Sequence, residues 1–112
     1  SYLMMIDAIV LLFNEIERLN LNYRIQLIDT LEVSVWDHFL IFPAPNYIEC
    51  RYGIFPLRTV RQIQINSIEN RYIGQRVALK CIDHSELLEE KMQQSGLHYH
   101  IENQIFIITL QK

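Results

Sequence analysis

Of the twelve residues that follow Ser1, eleven are apolar: the run from Tyr2 to Phe13 is interrupted only by Asp7. A surface helix carries one apolar stripe, whereas a helix apolar on nearly every side has to be covered on nearly every side. The cover comes either from the rest of the chain or from another molecule. Beyond Phe13 the pattern turns amphipathic, with Leu12, Phe13, Ile16 and Leu19 on one side and Asn14, Glu15, Glu17 and Arg18 mostly outside. The spacing predicts a helix over residues 2–19 that stops at Asn20-Leu21-Asn22, because Asn tolerates the left-handed conformation that ends helices. A bilayer span needs about 20 apolar residues, and this run is too short and contains a carboxylate. A secretory leader needs basic residues ahead of its apolar stretch, but the only basic residue before Arg24 is Arg18, behind it. Neither a membrane span nor a leader is expected. A start at Ser1 in place of Met is read as a processed or shortened terminus.

The 112 residues suffice for one domain, 1–112, with a core that needs neither disulfides nor metal. Half are apolar, and three Gly and three Pro leave no linker or low-complexity stretch. Cys50 and Cys81 form no C-x-x-C and fall on the apolar phase of their strands. They read as reduced, buried thiols in a cytoplasmic protein.

The remainder reads mainly as strands. Tyr23, Ile25 and Leu27 alternate with Arg24 and Gln26, and Leu31, Val33 and Val35 alternate with Glu32 and Ser34, each a half-buried strand pattern. Residues 39–42 are continuously apolar and end at Pro43-Ala44-Pro45, since proline cannot donate to a ladder. Residues 47–52 alternate again and turn at Gly53. Extended structure resumes over 54–65, with a bend or an edge at Pro56. Residues 66–74 read either as one helical turn capped by Ser67 or as a loop. A strand over 76–82 leads into Asp83-His84-Ser85-Glu86, which resembles a capping box. Leu87, Leu88 and Met92 give the following helix its inner face, and Gly96 sits at its left-handed end. Residues 97–102 and 104–110 form a hairpin about Asn103, with strands 76–82 and 97–102 expected to run parallel. The fold class is therefore α+β: an N-terminal helix on a mainly antiparallel curved sheet of about six to seven strands, a second helix over about 84–95, and a C-terminal β-hairpin.

Three kinds of chemistry are legible. Net charge is −3, but residues 51–82 carry +5, flanked by −5 and −3. Arg51, Arg58, Arg61, Arg71 and Arg76 are interleaved with Tyr47, Tyr52, Phe55 and Tyr72, a mixture that binding of single-stranded RNA or DNA uses for phosphate and base contact. It serves equally for carboxylate pairing and protein interfaces. His98, His100 and Glu102 are two residues apart on a strand, share a face, and are a candidate set for zinc or iron. The outer positions of the first helix, Leu3, Met4 and Leu11, suit contact with a twin or partner. No nucleophile elbow or phosphate loop is present.

The leading expectation is a non-catalytic cytoplasmic accessory or regulatory protein, a homodimer or one subunit of a complex, acting through Leu3, Met4, Leu11, Arg58 and Arg61. The alternatives are an RNA- or DNA-binding module using Arg51, Arg58, Arg61, Arg71 and Arg76, and a metal-dependent enzyme using His98, His100 and Glu102. No cofactor is expected.

Overall fold

The computed structural model describes residues 1–72, 74 and 79–111. Helix α1 spans Tyr2–Ile16. The Ser1 Oγ accepts a hydrogen bond from the Met4 N–H at 3.3 Å, satisfying one of the donors that every helix start leaves open. The helix tightens into a 3-10 turn at Glu17–Leu19 and stops at Asn20, which takes the left-handed conformation (φ 52°) while its N–H donates to the Glu17 carbonyl. There follow β1 (Asn22–Leu27), β2 (Leu40–Ala44), β3 (Tyr47–Cys50), β4 (Gly53–Pro56), β5 (Val60–Asn66), β6 (Ile68–Arg71), β7 (Lys80–Asp83), α2 (Ser85–Ser95), β8 (Tyr99–Glu102) and β9 (Ile105–Thr109).

The largest sheet has the order β1-β5-β9-β8, antiparallel throughout. Its pairing sorts the side chains onto two faces. Tyr23 lies opposite Ile65, and Ile65 opposite Phe106; Ile25 lies opposite Ile63, and Ile63 opposite Ile108. All six are buried and form the core together with Ile6, Ile9, Leu12 and Ile16 of α1 and Leu88 and Met92 of α2. The two helices are tied by an ion pair between Lys91 and Glu15 at 3.0 Å. Phe13 stands where α1, β1 and β2 meet, its ring 5.3 Å from those of both Tyr23 and Phe42, within the range in which tilted aromatic pairs attract.

The expected α+β architecture is the observed one, including the second helix and the C-terminal hairpin. The strands, however, divide among three ladders rather than one curved sheet: the four-stranded sheet, a β2-β3-β4 meander and a β6-β7 pair. The parallel arrangement expected of strands 76–82 and 97–102 is not found for the described part. Residues 80–83 pair antiparallel with β6, and 99–102 belong to a different sheet. Residues 75–78 lie outside the described residues. The strand ends at Ala44, inside the 43–46 run expected to stop it, with Pro43 taken in across an irregularity in register. Pro43 is tolerated because β2 is at the edge of its meander. Cys81, expected in the core, is exposed, and its thiol donates to the Asn70 Oδ1 at 3.3 Å.

The clearest departure concerns residues 31–35. They form no strand, only a lone bridge between Val33 and Gln26, and Leu31, Val33 and Val35 are exposed. Ser34 ties the segment sideways to β1, its Oγ accepting from the Ile25 N–H at 2.9 Å. Alternation identifies which residues share a face but not which face turns inward, and here the apolar set is on the outside.

Candidate interaction site

One side of α1 is paved and the other bare. Ile6, Ile9, Leu12, Phe13 and Ile16 are buried, whereas Leu3 is 70%, Met4 71% and Leu11 60% exposed. At 100° per residue these three positions fall together with Asp7 and Asn14 on the face opposite the core. The four-stranded sheet and α2 occupy only the inner half of the helix circumference. The cover sought for the apolar run is therefore supplied by the chain for its inner face alone.

Beside the bare face lies a groove between α1 and β2. It consists of two adjoining depressions of about 410 and 570 Å³ that share Val10, Asn14 and Phe42 in their walls. Leu11 and Pro45 continue the first, Phe39 and Ile41 the second. Asp7 and Glu17 are the acidic side chains along it, His38 stands in the second depression, and among the described residues no Lys or Arg lines either. Tyr23 forms part of the floor; burial first and the charge of Glu17 second push its phenol up to about 12, so it stays a neutral hydrogen-bonding group across the physiological range. At the N-terminal end of α1, a smaller recess of about 280 Å³ brings Leu3 and Tyr2 together with Arg58, Tyr47 and Pro56. Leu3 and Arg58, both marked as contact residues in the sequence, thus meet in space. Arg61 does not join them: its Nη2 donates to the Ile28 carbonyl at 2.8 Å.

The arginines do not gather into one basic face. Arg51 pairs through Nε with Asp37 at 3.0 Å, and Arg71 pairs with Glu69 at 3.1 Å. Arg58 is at the α1 end and Arg61 at the 28–29 turn, while Arg76 lies outside the described residues. Neither do the histidines converge. His100 lies 3.4 Å from Glu102, but among the described residues no group of three His, Cys, Asp or Glu side chains is placed to hold a metal ion. His98, His100 and Glu102 form no such set.

Two clusters carry chemistry that the spacing in sequence does not reveal. Glu69, 3% exposed, accepts from the His84 Nε2 at 2.9 Å and from the Arg71 guanidinium at 3.1 to 3.2 Å. The His84 hydrogen bond, followed by Arg71, holds its carboxyl below the ordinary carboxylate range against the opposing effect of burial. The second cluster is a row across the outer face of the large sheet. Trp36 stacks on the Arg24 guanidinium at 4.2 Å, and the Arg24 Nε donates to the Gln64 Oε1 at 2.7 Å. Gln64 in turn lies opposite Ile107, and Ile107 opposite His100. The only sequence signal for the first cluster was Glu69 itself, the single acid in the +5 segment.

Among the described residues no helix is long and apolar enough to cross a membrane. Residues 7–109 match the model of a family described as "Family of unknown function (DUF6678)". No curated protein and no solved structure matches the chain.

Proposed function

We propose, for a chain that belongs to this family of unknown function, a non-catalytic accessory role in the cytoplasm exercised through protein–protein contact. The groove between α1 and β2 holds an amphipathic helical segment of a partner protein, with basic residues flanking its apolar ridge. The observation that carries this reading is the exposure of Leu3, Met4 and Leu11 on a helix whose other face is fully buried. Scattered exposed apolar residues are ordinary, but three on one helix face beside an apolar groove mark a contact surface. Helix-in-groove recognition reads anchors at helical spacing against such a wall. Asp7 and Glu17, with no Lys or Arg beside them among the described lining residues and His38 in the wall of the second depression, select the charge of the flanks. The nucleic-acid reading gains no support from the arrangement of the arginines, three of which are engaged within the chain.

A designed peptide of about 14 residues, roughly 21 Å as a helix, with a leucine ridge and lysine flanks, tests the reading by fluorescence anisotropy. It is expected to bind, and a scrambled peptide of the same composition to bind at least about tenfold more weakly. Leu11→Glu is expected to abolish the difference. Equal affinity for both peptides, or affinity untouched by Leu11→Glu, disproves the groove as the site.

A further inference from the structure

The segment between β1 and β2 leaves its apolar side chains exposed: Leu31, Val33 and Val35 are all uncovered. Residues 33–37 run beside β1, held by the Tyr23 N–H to the Asp37 carbonyl at 2.7 Å, the return bond from the Asp37 N–H at 2.9 Å, and the Ser34 N–H to the Ile25 carbonyl at 2.8 Å. That backbone pairing, with Ser34 Oγ bonded to the Ile25 N–H, sets Val33 and Val35 beside Ile25 and Leu27 on the wall of an open recess, where both stay exposed. Leu31, at the tip of the segment, is 96% exposed. Next to this projecting leucine is a recess of about 370 Å³ between the segment and the β3–β4 hairpin, walled by Ile25, Leu27, Val33, Val35 and Phe55.

The two rims of the recess carry opposite charges. Glu32 lines the rim formed by the 31–35 segment, and its carboxylate makes no ion pair among the described residues. Arg51 sits on the hairpin rim, between Cys50 and Tyr52, which both line the recess. Its side chain is 64% exposed and its guanidinium is paired through Nε with Asp37, so a carboxylate from outside would share that cation with Asp37. A surface with an apolar knob beside an apolar hole, and with acid on one rim and base on the other, is complementary to itself. A two-fold axis exchanges the rims, as an isologous interface requires.

We propose that a second copy of this chain covers this face. Leu31 of each copy enters the recess of the other, and Glu32 of each meets Arg51 of the other. A small apolar ligand filling the recess leaves Leu31 in water, whereas the reciprocal pair buries both features with one operation. The face shares no residue with the α1 groove, so self-association and the partner contact proposed above are independent.

Sedimentation velocity on the full chain at about 10 to 300 μM tests the pairing. The wild type is expected to sediment as a dimer in the upper part of that range. Leu31→Glu is expected to be a monomer with an unchanged circular dichroism spectrum, since Leu31 contributes nothing to the core. Glu32→Arg and Arg51→Glu each set like charges against each other twice, and each alone is expected to weaken association about tenfold or more. Mixed in equal amounts, these two variants are expected to form a heterodimer, because every cross-contact is then between opposite charges. Restoration on mixing is a readout that damage to the fold cannot produce. A monomeric wild type throughout, a dimer that survives Leu31→Glu, or variants that stay apart on mixing overturns the proposal. So does a dimer dispersed by Leu11→Glu and not by Leu31→Glu, which moves self-association to the α1 face.

Discussion

Glu69 shows how a single buried carboxylate ties two elements together. It lies on β6, and the imidazole that reaches it belongs to His84, the cap residue of α2 fifteen positions later. A carboxylate only accepts hydrogen bonds, so Nε2 of His84 carries the hydrogen in this pair. Because the folded state holds the Glu69 carboxyl below its ordinary range, the folded protein keeps it ionised to a lower pH than the unfolded chain does. The resulting stability is fully present above the unfolded carboxylate range and is lost as pH falls through the folded value. Glu69→Gln is expected to reduce the free energy of unfolding by about 1–3 kcal/mol near neutrality, the worth of hydrogen bonds to a charged group. The deficit is expected to shrink as pH falls below the ordinary carboxylate range and on through the lowered folded value, where the wild-type carboxyl protonates. Urea melts at pH 7 and at about pH 3 measure both values. An equal deficit at the two pH values shows that Gln acts through shape and not through charge.

Among the elements, the C-terminal hairpin and α1 make opposite points about local sequence. The turn between β8 and β9 places both central residues, Asn103 and Gln104, at positive φ (48° and 69°). This is the primed turn that suits the twist of a tight hairpin. Asn tolerates that region, but a left-handed Gln costs about 1–2 kcal/mol, against about 0.5–1 kcal/mol of extra backbone entropy lost by Gly. Gln104→Gly is therefore expected to stabilise the chain by about 0.5–1 kcal/mol, raising the midpoint by a few degrees, roughly 4 °C per kcal/mol. The bonds that Ser67 makes to the Gln104 carbonyl survive the change because they use backbone oxygen. For α1 the expectation splits by face. Ile9→Ala, at a fully buried position, costs about 2–5 kcal/mol, while Leu11→Glu on the bare face stays within about 0.5 kcal/mol; chemical denaturation of both variants checks this. The helices, their stops at Asn20 and Gly96 and the hairpin were legible in the sequence because each depends on spacing and turn chemistry within a few residues. The exposure of residues 31–35 was not, since it is decided by Ser34 reaching Ile25 and by the β3–β4 hairpin standing off across an open recess instead of closing on Val33 and Val35. The side of α1 left bare was equally hidden, because it depends on how far sheet and α2 extend around the helix. Glu69 and His84 are remote in sequence and meet only through the β6–β7 pairing.

At the scale of the whole molecule, position in the chain and position in space part company for charge. The +5 segment looks like a basic stripe when residues 51–82 are counted in order, yet over a body of 46 × 29 × 25 Å its described arginines occupy separate elements. Three are engaged: Arg51 with Asp37, Arg61 with the Ile28 carbonyl, and Arg71 with Glu69. Arg58 alone of the four described makes no such bond, and it stands beside Leu3 at the end of α1. A single-stranded nucleic acid needs a continuous basic track with aromatic faces along it. The dispersed arrangement offers one or two phosphate contacts at any one place, and each contact released contributes a slope of about −0.7 in log affinity against log salt for a single strand. Titration of a labelled oligouridine is therefore expected to give weak binding with a slope no steeper than about −1.5. The double reversal Arg58→Glu with Arg61→Glu is expected to change that affinity little, because the two groups do not act on one ligand. A slope of −4 or steeper, lost in the double variant, requires the arginines to converge on a bound strand and replaces the protein-contact reading with nucleic-acid recognition.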